Sequence, residues 1–101
     1  MRKGNYAELY LKKMLCAGAI SDGRKHIATV LQYDERKECI FFLLQAGSLT
    51  ELSLDAVYEC DIQTEEEHLS CIGRIAERYY GAAGKTFKFE ISNGFYKINL
   101  K

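Results

Sequence analysis

The chain has 101 residues, of which 48% are hydrophobic and 28% are charged, and its 14 Lys plus Arg balance 14 Asp plus Glu. This size fits one domain, predicted to span residues 1–101, and the neutral charge argues against general attraction to nucleic acid or an anionic membrane. No apolar run is long enough to cross a membrane. Because Glu8, Lys12 and Lys13 interrupt the N-terminus, we predict no secretion signal and expect a cytoplasmic protein.

The first predicted element is a short helix at residues 6–16. Asn5 can cap this helix, and Gly18 is expected to end it. Apolar or aromatic residues recur at helical spacing at Tyr6, Leu9, Tyr10, Met14 and Ala17. Leu11 and Leu15 blur the apolar face, so a strand is the alternative interpretation.

Strands follow, because the pattern changes to a period of two after Arg24. One face of the first strand carries Ile27, Thr29, Leu31 and Tyr33, and the other carries His26, Ala28, Val30 and Gln32. A charged turn at 34–37 leads to the almost wholly apolar strand 38–44. We expect that strand to be covered on both faces, with the N-terminal helix over one of them. Residues 46–48 then break it.

The next two predicted strands, 54–62 and 68–80, form a hairpin around a polar turn at residues 63–67. Alternation gives one face of each strand to apolar residues: Ala56, Tyr58, Cys60 and Ile62 on the first, and Leu69, Cys71, Gly73 and Ile75 on the second. Both sets lie on one side of the sheet only if the numbers of paired residues add to an odd sum, and a turn at about 64–67 then places Ile62 beside Leu69 and Cys60 beside Cys71. We therefore predict two reduced, buried core thiols.

A metal site and a disulfide are the alternatives for these thiols. His68 belongs to the opposite face, so a site made by Cys60, Cys71 and His68 would need one ligand to cross the sheet. A disulfide would need Cβ atoms nearer than most cross-strand pairs provide. We therefore predict no metal and no cofactor. Cys16 and Cys39 are interpreted as structural residues of the helix and of the apolar strand.

The dipeptide Asn93-Gly94 predicts a two-residue type I′ hairpin between strands 87–92 and 95–100. Its register would pair Phe89 with Ile98, Ile91 with Tyr96 and Glu90 with Lys97. Several short antiparallel strands behind one helix predict a mainly β fold. The expected architecture is a small, closed or nearly closed antiparallel barrel of about six or seven strands.

Arg74 and Arg78 are the strongest candidates for ligand contact. Their spacing of four on a strand predicts a shared outer face, where the two guanidinium groups would clamp an anion. A solvated strand face with Glu77 nearby is the alternative. Paired aromatic residues would offer stacking platforms for single-stranded nucleic acid, but we expect at least one ring of each pair in the core.

Residues 49–91 resemble the PilZ family of small, split β-barrels in the order of their predicted strands and turns. Glu51, Ser53 and Ala56 fall where the Asp or Asn, the Ser and the Gly of that family's (D/N)xSxxG motif would be. Only Ser53 matches its motif residue. The resemblance therefore makes Ser53 a candidate ligand contact, weaker than Arg74 and Arg78. The preceding GRKHIATVLQYDERKECIFF is similar to the N-terminal companion barrel of flagellar-brake proteins, which has the PilZ-type fold without the nucleotide motif.

The resemblance implies a non-catalytic binding or regulatory module of bacterial signalling, not an enzyme. The family's cyclic di-GMP site also uses an RxxxR segment ahead of the barrel, whereas the only such spacing here, Arg74 to Arg78, follows Ser53. We therefore expect an unidentified protein partner and neither a cyclic di-nucleotide nor nucleic acid. A degenerate cyclic di-nucleotide sensor, a single-stranded nucleic-acid-binding barrel and a metal or redox protein remain as alternatives. An exposed edge strand would also permit a homodimer.

Overall fold

The computed structural model describes residues 1–14 and 25–97, which form a closed, six-stranded antiparallel barrel. The strands are β1 (Tyr6–Met14), β2 (Lys25–Asp34), β3 (Cys39–Leu44), β4 (Ala56–Gln63), β5 (His68–Gly81) and β6 (Gly84–Lys97), with a short 3₁₀ helix at Leu49–Glu51. Their order around the barrel is β1-β2-β3-β6-β5-β4, and β4 closes the ring by pairing with β1. The predicted mainly β barrel is confirmed. No helix in these two ranges is long and apolar enough to cross a membrane.

The predicted N-terminal helix is wrong, because residues 6–14 form strand β1. Ala7 and Leu9 are fully buried, whereas Tyr6, Glu8 and Tyr10 lie on the partly exposed outer side. This alternation lets β1 bury one face while its backbone pairs with β2 and β4. The helical spacing of the aromatic residues was therefore misleading. The rest of the predicted helix, including Cys16, and its stop at Gly18 lie outside the described residues.

Strand β3 is covered by the barrel interior on one side only. Ile40, Phe42 and Leu44 are buried in the core, while Phe41 and Leu43 on the outer side are half-buried. The predicted apolar strand is confirmed. Its predicted helical cover is wrong, because the segment expected to supply that cover is itself a strand of the barrel.

Large apolar side chains fill the interior. Phe42 stacks on Phe87 with ring centroids 5.2 Å apart and meets Phe89 edge-on at 6.2 Å. The buried core also includes Leu9, Val30, Ile40, Tyr58, Cys60, Ile62, Cys71 and Ile75. Leu49 and Leu52, from the 3₁₀ helix and its C-cap, are buried in the same cluster. Burial of these side chains is the main source of stability for a domain of this size.

The predicted β4–β5 hairpin is confirmed in register and in facing. Cys60 pairs with Cys71 and Ile62 with Leu69, and every second residue of β4 from Ala56 is buried. At the turn, the Thr64 hydroxyl accepts a hydrogen bond from the Glu67 amide at 3.1 Å and donates one to the Glu67 carbonyl at 3.0 Å. The turn therefore has its own hydrogen bonds.

The predicted Asn93-Gly94 hairpin is wrong, because β6 continues as strand through both residues. The chain reverses instead at Ala82-Ala83, where Gly84 adopts a φ of +126° that favours glycine. Strands β5 and β6 have 14 residues each and pair along most of their length. A reversal at residue 93 would end β6 there and would remove the pairs that Asn93, Tyr96 and Lys97 make with β5. Phe89 consequently pairs with Ile40 and Ile75.

Candidate ligand-binding groove

A β-bulge separates the two candidate arginines, so the spacing of four does not place them on one face. The register between β5 and β6 shifts between Ile75 and Glu77. Before the shift, Arg74 is opposite Glu90 on the outer side of the barrel. After it, Arg78 is opposite Phe87, whose side chain points inward. An extra residue in one strand shifts the alternation of the residues that follow it, so Arg74 and Arg78 do not lie on the same side of the β5–β6 pair, although both are exposed.

Arg78 binds the loop that closes one end of the barrel. Its Nη1 donates hydrogen bonds to the carbonyl oxygens of Leu49, at 3.3 Å, and of Leu52. The 3₁₀ helix in this loop begins at a capping box, in which the Ser48 side chain and the Glu51 side chain each accept a backbone hydrogen bond. The contacts given for Arg78 therefore describe a structural role in holding this loop.

Ser53 follows the same 3₁₀ helix and is half-buried. Its amide donates a hydrogen bond to the phenolic oxygen of the buried Tyr58 at 2.9 Å, and its hydroxyl accepts one from the Asp55 amide at 3.1 Å. Both groups thus help to shape the loop between the 3₁₀ helix and β4. The structure brings this loop, through Leu54, to the groove that Arg74 lines.

Arg74 lies at a groove with a volume of about 330 Å³ on the outer surface of β5 and β6. The groove is lined by Leu54, Arg74, Ile75, Ala76, Glu90, Ile91 and Ser92. Leu54, which is 37% exposed, is one of the few large apolar side chains on the described surface. The Arg74 side chain is exposed and makes no hydrogen bond or ion pair within residues 1–14 and 25–97. A charged group and apolar surface therefore share one concave site.

The groove lies where β5 leaves its neighbour β4. Pairing between these strands ends at Tyr58 and Gly73, and from Arg74 onward β5 pairs with β6 alone. This divergence was not predicted, because residues 68–80 were interpreted as one continuous strand of the β4–β5 hairpin. Leu54 stands between Ser53 and Asp55 in the sequence, but its place in this groove depends on how the loop folds.

The paired thiols lie inside the barrel and not at this groove. Cys60 and Cys71 are both fully buried, and neither is part of a disulfide. Burial, followed by a hydrogen bond with Cys71, raises the pKa of the Cys60 thiol well above its usual range. His68 stands on β5 opposite Gln63, at the turn end of the hairpin. Within the described ranges, no group of three or more His, Cys, Asp or Glu residues is placed to hold a metal ion.

A polar cluster lies on the outer side of β1. It was not predicted, because residues 6–14 were interpreted as part of a helix. Tyr6 and Tyr10 donate hydroxyl hydrogen bonds to the Glu8 carboxylate at 2.9 and 2.8 Å, and Lys25 Nζ lies 3.3 Å from it. The hydrogen bond from Tyr10 is the largest cause of a lowered pKa at Glu8. Since these groups already bind one another, we do not assign a ligand to them.

The chain was compared with protein-family models, with curated proteins and with solved structures, and none of the three comparisons found a match.

Proposed function

We propose that this protein is a non-catalytic binding or regulatory module with a PilZ-like barrel, and that it acts through contact with another protein. The observation that carries this proposal is the contrast between a packed interior and an exposed groove. The aromatic and aliphatic core occupies the inside of the barrel, so the outer surface is where a partner binds. At the groove, Arg74 offers a charge beside the apolar side chain of Leu54.

The PilZ-like part of the proposal is supported by the six-stranded antiparallel barrel. A small barrel does not by itself fix a function, so the role in bacterial signalling is inferred from the resemblance alone. Quantitative affinity capture from lysate tests the proposed function. We expect one reproducible protein at near-stoichiometric recovery, and recovery no greater than from empty beads would contradict the proposal.

A degenerate cyclic di-nucleotide sensor is the second candidate, favoured by the accessible guanidinium of Arg74. Two observations weigh against it: Arg78 lies beyond the bulge and binds carbonyl groups, and the Ser53 hydroxyl binds its own loop. Isothermal titration with cyclic di-GMP distinguishes the candidates. We expect no heat above baseline at micromolar protein, whereas saturable heat that Arg74→Gln removes would establish the sensor.

Binding of single-stranded nucleic acid has the support of Tyr80, whose side chain is 78% exposed. The outer side of β4, however, carries Glu59 and Asp61, and the turn that follows carries Glu65 to Glu67. These carboxylates repel a phosphate backbone. A gel shift at low salt is expected to show no complex. A complex that weakens steeply with added salt would replace our proposal with nucleic-acid binding.

A further inference from the structure

We propose that the groove at Arg74 binds an extended segment of a partner protein, and that this segment carries one acidic residue flanked by apolar residues. This inference rests on the proposed function and specifies its partner and its site. Within residues 1–14 and 25–97, it joins three features of the same place: an arginine without a hydrogen bond or ion pair, exposed apolar side chains and a strand edge without a neighbouring strand.

The positive charge of Arg74 indicates that the partner segment carries an acidic residue. Lys12 and Lys25 form ion pairs with carboxylates, and Arg78 binds carbonyl groups, whereas Arg74 makes no such contact with the described residues. A guanidinium matches a carboxylate through two parallel hydrogen bonds. The carboxylate of Glu90 stands across the strand pair from Arg74. That second charge opposes a polyanion or a run of acidic residues, so the site favours a single carboxylate.

The apolar lining identifies the flanking residues. Leu54 and Ala76 are exposed, and Ile91 is half-buried at the edge of the core. Contact with apolar side chains of a partner would remove this surface from water. The groove is at the small end of the size range for ligand sites, which suits a few side chains better than a whole folded domain.

The free edge of β5 beyond Gly73 indicates that the partner segment binds in an extended conformation. Beyond Gly73, β5 pairs with β6 on one side and with no strand on the other, and the bulge at Ala76 lies in this stretch. Backbone groups on such an edge can accept an added strand, with main-chain hydrogen bonds giving affinity and side-chain pockets giving selectivity. A segment lying along β5 from Arg74 would place alternate side chains toward the groove.

A displayed library of random peptides of about twelve residues, selected on the immobilised barrel, provides the probe. We expect the selected sequences to share an Asp or Glu between apolar residues. A synthetic peptide of that consensus is then titrated against wild type, Arg74→Gln and the matched control Arg36→Gln, which changes an exposed arginine of the β2–β3 turn. We expect Arg74→Gln to weaken binding about tenfold or more, and Arg36→Gln to leave it unchanged.

Two further readouts separate this site from a general electrostatic effect. Changing the acidic residue of the peptide to its amide should weaken binding to wild type but add little to the effect of Arg74→Gln. In amide NMR spectra, the largest shifts should lie at residues 74–77 and 90–92. Either an additive double change or shifts centred elsewhere would contradict the assignment.

Several results would overturn the inference while leaving the proposed function intact. These are a library that yields no enriched sequence, a consensus without an acidic residue, and peptide binding that Arg74→Gln does not weaken. A concentration-dependent dimer that Arg74→Gln abolishes would identify a second copy of the chain as the occupant. Capture of the same lysate protein by wild type and by Arg74→Gln would keep the proposed function and reject this groove as its site.

Discussion

Gly73 of β5 and Glu90 of β6 approach so closely that no side chain fits between them. A Cβ atom at Gly73 would overlap the carbonyl oxygen of Glu90 and would lie 2.9 Å from Cε2 of Phe89. Gly73 is therefore required at the point where β5 leaves β4 and Arg74 enters the groove. The backbone contact fixes the wall of the groove opposite Arg74.

Gly73→Ala should lower the free energy of unfolding by about 1–3 kcal/mol, because the added methyl group forces β6 away from β5. Gly94→Ala is the matched control, since no atom lies within 4 Å of a Cβ at that position of the same sheet. Urea denaturation followed by circular dichroism measures both changes. A Gly73→Ala protein as stable as Gly94→Ala would show that the two strands are not in such close contact.

Arg78→Gln should release the loop at the end of the barrel. Loss of the hydrogen bonds to Leu49 and Leu52 should cost about 1 kcal/mol. Hydrogen exchange should become faster at the amides of Glu51 and Leu52, which donate to carbonyl oxygens within this loop. Arg74→Gln serves as the control and should leave both stability and exchange unchanged. Equal exchange in the two variants would contradict the role of Arg78 in the loop.

The Cys60 thiol should react only when the barrel opens. Because burial raises its pKa, the thiol remains protonated in the folded protein at pH values where a free thiol ionises. Alkylation by N-ethylmaleimide, resolved by mass spectrometry, should be slow at Cys60 and should accelerate in sub-denaturing urea. Rapid labelling at neutral pH would contradict the buried position.

The raised pKa of the Cys60 thiol also predicts how the stability of the protein changes at alkaline pH. The folded pKa lies above the unfolded value of about 8.5, so the folded state keeps its proton longer. The contribution of this thiol to stability is fully present below a pH of about 8.5 and is lost as the pH rises through the folded pKa. Wild type should therefore lose more stability than Cys60→Ala between neutral and alkaline pH. Parallel pH profiles for the two proteins would be inconsistent with this shift.

Glu8 should titrate below an ordinary glutamate, and Tyr10 should be the main reason. Tyr10→Phe is expected to raise the pKa of Glu8 more than Tyr6→Phe does, because the hydrogen bond from Tyr10 makes the larger contribution. The lowered pKa stabilises the fold above the unfolded value of about 4.3, and this contribution disappears as the pH falls through the folded pKa. Carbon-detected NMR titration of the side-chain carboxylate gives these values, and the opposite order would be incompatible with the hydrogen-bond geometry.

Periodicity predicted those parts of the fold in which burial follows a period of two without interruption. Cys60 opposite Cys71 could be derived because both faces of β4 and β5 restrict the register. The N-terminal strand was only the alternative interpretation because Tyr6 and Tyr10 also fit the spacing of a helix, although Ala7 and Leu9 on either side of Glu8 also fit the alternation of a strand. The Asn93-Gly94 turn was predicted from local preference, which the long pairing of β5 with β6 overrides.

The candidate site was only partly accessible to sequence reasoning. Arg74 could be identified as an outward-facing charge, but its separation from Arg78 depends on a bulge at Ala76. The one local sign of that bulge is Glu77, a charged residue that unbroken alternation would place on the apolar face. The contribution of Leu54 depends on a loop folding back toward β5. Such long-range contacts follow from the closure of the barrel and not from any local pattern.

The central claim is that this barrel recognises a protein through its outer surface. Amide NMR spectra of the labelled barrel in lysate from the cells that produce it test this claim directly. We predict shifts or broadening that survive desalting and nuclease treatment and vanish after the lysate proteins are digested before the barrel is added. A perturbation that survives digestion but disappears on desalting or nuclease treatment would instead identify a small ligand or a nucleic acid and contradict the claim.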